Sequence, residues 1–439
     1  MTKTKVTFKE AFLYWLKLGF ISFGGPAGQI AMMHQALVEE KRWISEERFL
    51  HALNFCMLLP GPEAQQLAIY IGWLLHKTWG GLMAGLLFIL PSFIILCGLG
   101  MIYMQFGDLP SIQSFFNGIK PAVVAIVIFA AYRIGYRTLK HPLLIIISAL
   151  SFSGILFFKI PFPVIVLTAA TIGWLLNFWL PEPFKTKSHS SKKTQPHQQA
   201  IIDDKSSLPA HAEYRPSRLL KTLAIGLSIW GFSFYLLCHT LGFTDIFSLT
   251  ALFFTKAALL TFGGAYAVLP YVYQGTVEHY HWISATQMMD GLALGETTPG
   301  PLIMVITFIS FVSGWVNHAL PNSPIWISGF AVAGVATFFT FLPSFVMIFL
   351  GAPFIETTRN QPKLAAPLTA ITAAVVGVIL NLAWFFGYHT FWGNEAQQLN
   401  INSLLIAIIA FIALTKYKAN TLLVIITSGL IGLSFGLLN

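Results

Sequence analysis

The chain is poor in charge. Its 439 residues include only 26 Lys and Arg and 17 Asp and Glu, 10% in all, against roughly 25% in soluble proteins. A soluble enzyme or a nucleic-acid binder of this length needs far more polar surface, and a disordered chain needs more polarity still. Cysteine is scarce too. Cys56, Cys97 and Cys238 lie inside apolar stretches and none forms a CxxC pair, which argues against redox chemistry, zinc binding or a disulfide scaffold. No GxxxxGK[ST] or HExxH run is present, so no nucleotide-binding domain or metalloprotease centre is expected. The expectation is a protein that is not an enzyme, with no cofactor and no metal. Residues Met1 to Glu10 are polar and basic without a cleavable signal pattern, so the first spanning helix is expected to act as the insertion signal.

What fills the chain instead is apolar: 56% hydrophobic and 15% aromatic residues, with a mean hydropathy of +0.70. That composition predicts an all-α polytopic membrane protein lodged in a lipid bilayer. The net charge of +9 does not imply nucleic acid, because the basic residues form short clusters between apolar runs, as cytoplasmic loops do. Runs long enough to cross about 30 Å of hydrocarbon fall near 8–35, 49–75, 79–105, 115–136, 142–158 and 161–180, then near 219–242, 247–277, 286–316, 325–352, 364–388, 402–416 and 419–437. The count is about 13, with 10–13 as the range. The domains read as an N-terminal unit 1–180, a basic cytoplasmic flexible linker 181–221, an extra linking helix 222–246 and a C-terminal unit 247–439. His189, His197 and His211 in the linker lack metal-ligand spacing and read as solvated. Lys and Arg concentrate in alternate loops, which predicts a cytoplasmic N-terminus. Two loops fit badly: 39–48 falls outside although mixed in charge, and 278–285 falls inside without Lys or Arg.

The chain also repeats itself. Lys17, Ser22-Phe23-Gly24-Gly25, Trp43-Ile44-Ser45 and Pro60-Gly61-Pro62 recur 239 residues later as Lys256, Thr261-Phe262-Gly263-Gly264, Trp282-Ile283-Ser284 and Pro299-Gly300-Pro301. Pro91-Ser92-Phe93 recurs at an offset of 252 as Pro343-Ser344-Phe345. With an odd number of spans separating the starts of the two units, the repeats are expected to be inverted, an architecture of many secondary transporters. Pro and Gly in the FGG and PGP motifs break the helices, and broken backbone at membrane depth is tolerated where it lines a cavity. A half-helix starting after a break presents free N–H groups and a positive dipole end to an anion.

These considerations nominate a substrate site made of Lys17, Ser22, Gly24, Gly25, Pro60, Gly61, Pro62, Gln65, Lys256, Thr261, Gly263, Gly264, Thr297, Thr298, Pro299, Gly300 and Pro301, with Gln66 as a further donor. An intramembrane lysine is functional by default; snorkelling or pairing with Glu63 or Glu296 is the alternative. Glu63 and Glu296 are candidates to carry a coupling proton, or to neutralise a lysine. Arg133, Arg137 and Lys140 read as a topology signal.

At these motifs the chain resembles the chromate ion transporter family in its long, two-domain form. The stretch from Ser22 to Trp73, with FGGPAGQIAMMH, EEKRWISEERFLHALN and LLPGPEAQQLAIYIGW, is similar to the family's N-terminal signature. Phe253 to Pro301, with TKAALLTFGGAYAVLP and GETTPGP, is similar to its C-terminal counterpart. The resemblance implies efflux of chromate across the bacterial inner membrane, with sulfate as a mimic, driven by the membrane or proton gradient and conferring chromate resistance. Competing readings are a transporter of another small anion such as sulfate or an organic acid, a passive anion channel, and a membrane enzyme on lipid-linked substrates, for which no nucleophile or metal cluster is visible. A homodimer is an open alternative to a monomer.

Overall fold

The structure, a computed structural model, describes residues 6–23, 25–179, 200–203, 211–212, 215–262, 264–357, 365–392 and 399–438. The described residues are almost entirely helical, with two isolated backbone bridges and no extended sheet. Five helices are long and apolar enough to cross a membrane, and six shorter apolar helices accompany them, consistent with a polytopic membrane protein.

The first half runs α1 (Phe8–Ile21), α2 (Gly25–His34), a π-helical turn (Gln35–Glu40), α3 (Glu46–Cys56), α4 (Glu63–Phe106), α5 (Pro110–Thr138), α6 (Pro142–Phe158) and α7 (Phe162–Trp179). After α8 (Pro216–Leu241), the second half runs α9 (Ile246–Leu260), α10 (Ala265–Tyr273), a π-helical turn (Gln274–His279), α11 (Ala285–Thr297), a 3₁₀ turn (Leu302–Met304) and α12 (Val305–Val316). It ends with α13 (Ile325–Thr357), α14 (Ala365–Phe391), α15 (Ile401–Thr415) and α16 (Thr421–Leu438). The two π turns stand 239 residues apart. So do the residues of positive φ behind them, Arg42 at 54° and His281 at 52°. The recurrent Trp-Ile-Ser supplies an N-cap in both places: Ser45 Oγ accepts from Arg48 N at 3.3 Å, and Ser284 Oγ accepts from Gln287 N at 3.1 Å in a capping box, satisfying orphan donors of the first turn.

Four of the expected spans, near 8–35, 49–75, 247–277 and 286–316, are each two short arms separated by a break. At 1.5 Å per residue, the 14 residues of α1 reach only about 21 Å, short of the bilayer core of about 30 Å. Contacts show that these arms fold back. Lys41 Nζ, after the first π turn, lies 3.6 Å from Glu10 Oε1 at the start of α1. α4 reverses at His76 and Lys77, whose backbone leaves the helical region. The reversal packs Gly72 against Gly80 and Ala84 and sets His76 edge-on to Phe8, ring centroids 5.5 Å apart. At the opposite end, Asn317, just past α12, donates to Trp282 O at 3.3 Å, and Phe162 N donates to Gln274 Oε1 at 3.0 Å. α5 packs on α14 at the centre, on α15 and α16 of the second half, and α14 packs on α6 and α7 of the first.

The linker, expected to be flexible, lies largely outside the described residues, but two described pieces of it are docked. Ile201 N and Ile202 N donate to Arg42 O (2.9 Å) and Trp43 O (3.0 Å), and Ser45 N donates back to Ile202 O (3.0 Å). His211, expected to be solvated, donates to Trp73 O at 3.0 Å and meets the Trp73 ring edge-on at 5.0 Å; Ala212 beside it is fully buried. α8, the extra helix, starts at Pro216 and leaves nearly all of its surface unburied by the rest of the protein.

Candidate functional site

The breaks meet in two pairs, each across the halves. Ser22 ends α1, and both its carbonyl (3.0 Å) and its Oγ (3.1 Å) accept from Gly300 N of the second PGP. Thr261 ends α9, and its carbonyl accepts from Gly61 N of the first PGP at 2.8 Å. Each FGG break is therefore tied to the PGP break of the other half. Gln29, fully buried on α2, clamps one crossing by donating to Ser22 O (3.0 Å) and Gly300 O (2.5 Å). Gln66 Nε2 holds the other break by donating to Pro60 O at 2.7 Å.

The glycines are required by shape. Gly61 has φ 125° and Gly300 φ 95°, conformations that L side chains rarely adopt. A Cβ on Gly61 would lie 2.5 Å from Ser344 Oγ, and one on Gly300 would lie 2.8 Å from Ser92 Cβ. The serines of the recurrent Pro-Ser-Phe thus sit against the PGP glycines, Ser92 of the first half on Gly300 and Ser344 of the second half on Gly61.

The two crossings and the start of α4 are rich in polar groups without partners. Among the described residues, Ser92 Oγ, Ser344 Oγ, both amide atoms of Gln65, and the free Oε1 atoms of Gln29 and Gln66 have no hydrogen-bond partner, although all five side chains are essentially fully buried. Polar atoms buried this way cost free energy unless a partner arrives. Four helix starts also face the breaks: Gly25 (α2), Glu63 (α4), Ala265 (α10) and the turn at Leu302 leading into α12. Neutral donors plus positive helix ends suit an oxyanion.

Of the nominated residues, Ser22, Pro60, Gly61, Pro62, Thr261, Pro299, Gly300 and Pro301 form these crossings, and Gln65 follows directly on α4. Gly25 and Gly264 start α2 and α10 with positive φ (70° and 101°). Thr297 and Thr298 turn their hydroxyls back onto Leu294 O (2.8 Å) and Gly295 O (3.1 Å), so both satisfy local backbone. Gly24 and Gly263 lie outside the described residues. Lys17 and Lys256 are exposed. Lys17 lines a cleft with Glu10, Tyr14, Gln35, Glu40 and Lys41 between α1 and the first π turn, and Lys256 lies on α9. Glu63 is half-buried at the start of α4. Glu296 accepts a short hydrogen bond from the Tyr266 hydroxyl.

Sequence reasoning did not nominate Gln29, Ser92, Ser344 or Tyr266 as site residues. Ser92 and Ser344 carried a usable signal, since their motif recurs; Gln29 and Tyr266 are not repeated at the offset and carried none.

The sequence profile of a family described as chromate transporter matches residues 9–174 and 249–433. A chromate transport protein of Cupriavidus metallidurans is 28% identical over 424 residues, covering 95% of this chain and 90% of that protein. One of Pseudomonas aeruginosa is 29% identical over 429 residues, covering 97% and 92%. An uncharacterized transporter of Bacillus subtilis, YwrA, is 27% identical over 179 residues, 41% of this chain but 91% of its own length. No solved structure matches.

Proposed function

The chain belongs to the chromate transporter family, and from that premise we propose that it is a secondary active transporter exporting chromate, or a sulfate-like oxyanion, across the bacterial inner membrane. The membrane and proton gradients drive export and so confer chromate resistance. The observation that carries the reading is the reciprocal crossing of the breaks, Ser22 on Gly300 and Thr261 on Gly61, lined by the partnerless hydroxyls of Ser92 and Ser344 and the amide of Gln65. A tetrahedral dianion bound at either crossing accepts from the donors of that crossing and from the helix start beside it, Leu302 on the Ser92 side or Glu63 on the Ser344 and Gln65 side. A protonated oxyanion would have to donate as well. Lys17, in its open cleft, draws the anion toward the break, and Glu63 and Glu296 carry coupling protons.

The topology we propose follows from the folded-back arms. The four broken segments are re-entrant hairpins, and nine helical stretches cross: the second arm of α4, then α5, α6, α7, α8, α13, α14, α15 and α16. The two halves are then inverted repeats joined by α8, with the N-terminus in the cytoplasm. Support comes from charge. The segment 39–48, with Lys41 and Arg42, moves to the cytoplasmic end, and 278–285, without Lys or Arg, moves outside. Both loops that fitted badly with thirteen crossings now obey the positive-inside rule. Half-length relatives such as YwrA fit a chain built from two such units.

Chromate accumulation in cells with and without the protein, each with and without an uncoupler, tests the function. Lower accumulation only in energised, expressing cells supports export; equal accumulation in all four refutes it.

A further inference from the structure

Asp290 is a buried ionisable side chain outside the site described above. It lies on α11 five residues from the helix start, about 8 Å into the bundle, and is 3% exposed. Its Oδ2 accepts from the Tyr103 hydroxyl at 2.9 Å, a contact between the two halves. Its Oδ1 has no hydrogen-bond partner among the described residues. The side chain lines a cavity of about 420 Å³ whose walls include Tyr103, Asp108, Gln113, Asn117 and Lys120. A carboxylate oxygen without a partner beside a polar cavity needs something to bind. Lys120, donating to Asn117 Oδ1 at 2.8 Å, already brings a positive charge to the same cavity. That disfavours a metal cation and leaves a proton, whose arrival turns Oδ1 from a lone acceptor into a donor toward cavity water.

The elements packed on α11 supply few competing groups. α4 brings Tyr103, α5 brings Lys120 and the α4–α5 turn brings Asp108, while α12, α16 and the turn at 302–304 contain no ionisable side chain. The matching position in the first half, 239 residues earlier, holds half-buried His51 on α3, so each half carries an ionisable group at this register.

We propose that Asp290 is the outer proton-binding site of the transport cycle, loaded through the cavity it lines. The inference rests on the export reading and its topology. A hydronium ion in the outer cavity transfers its proton to Oδ1, leaving water and a neutral carboxylic acid held by Tyr103. The proton leaves by the reverse transfer, or passes to Glu296, six residues and about 9 Å further along α11.

The test uses the full chain in proteoliposomes, with labelled chromate as the probe. Two modes are compared: counterflow at equal pH, and accumulation driven by an imposed pH gradient. Asp290→Asn keeps the shape and the acceptor for Tyr103 but cannot titrate. Gradient-driven accumulation is expected to fall by about 100-fold, counterflow to persist, and Asp290→Glu to restore driving. Gradient-driven accumulation at the wild-type level in Asp290→Asn overturns the proposal. If wild-type protein shows counterflow that no pH gradient can drive, this inference fails while chromate transport stands; if it shows no counterflow, the export reading itself fails. Should Asp290→Asn not assemble, a hydrophobic carbodiimide applied to wild-type protein must label Asp290, more slowly as pH rises; absence of an adduct at Asp290 overturns the proposal.

Discussion

Gly300→Ala should damage the protein through two separable terms. At φ 95° a residue with a Cβ carries backbone strain of about 1–3 kcal/mol. The new methyl lies 2.8 Å from Ser92 Cβ and 3.2 Å from Ser92 Oγ. Ser92 Cβ is fixed to the α4 backbone, so rotation about χ1 gives no relief, and overpacking of this kind costs about 1–3 kcal/mol. The sum, about 2–6 kcal/mol, is a large part of the 5–15 kcal/mol typical of whole domains, roughly speaking. Thermal unfolding of the detergent-purified protein measures it, with two controls. Gly98→Ala has open space and no positive φ, and Gly264→Ala has open space but φ 101°, so the first should be nearly silent and the second should report strain alone. Ser92→Gly removes the atom that clashes. In a double-mutant cycle it should recover the overlap, about 1–3 kcal/mol, and none of the strain. Gly300→Ala as stable as Gly98→Ala, or a cycle without coupling, would refute the close packing of Ser92 on the second break.

Other consequences are open to measurement. Gln29→Leu removes both side-chain hydrogen bonds that clamp Ser22 O and Gly300 O and should cost about 1–3 kcal/mol in melts of the purified protein; a silent substitution would show that the clamp is idle. Lys17→Gln should raise the KM for chromate most at low salt, because screening already weakens steering at high salt; an equal effect at both ionic strengths contradicts the steering role. Burial holds the pKa of His211 below its ordinary 6.5, the bond to Trp73 O works in the other direction, and Lys77 and Arg218 lower it further. The folded state thus prefers the neutral ring, so docking of His211 and Ala212 is fully present above about pH 6.5 and weakens as pH falls toward the lowered value. The protection factors of the described amides at 211–212 should fall over this window in wild type and be independent of pH in His211→Ala; identical profiles would refute the linkage.

The helical membrane fold and the breaks that make up the candidate site were legible in the residues, but the direction of the chain at those breaks was not. FGG and PGP marked the breaks because Pro and Gly disrupt helical bonding, and their shared offset marked them as equivalent. Whether a chain continues or turns back at a break depends on tertiary contacts such as Gly300 N to Ser22 O, 278 residues apart, which local pattern cannot encode. A hydropathy window therefore sums α1 and α2 into one span. The loops at 39–48 and 278–285 hinted at the proposed hairpins, since their charges fit the straight-through reading badly. Ser92 and Ser344 were visible as a repeat, but only the fold sets them on the PGP glycines. Lys17 and Lys256 stood out by charge at depth, yet helical phase turns both to exposed faces. Asp290 escaped notice in a Met-rich run because its partner, Tyr103, is 187 residues away.

The most direct test of the central claim is equilibrium binding of labelled chromate and sulfate to purified wild-type and Ser92→Ala/Ser344→Ala protein, alongside thermal melts. Among the described residues the two hydroxyls have no hydrogen-bond partner, so their removal should leave stability unchanged or improved. If the anion sits at the crossing of the breaks, Kd should rise about tenfold or more, each tenfold being about 1.4 kcal/mol. An intact double variant that binds both anions as tightly as wild type would contradict the account.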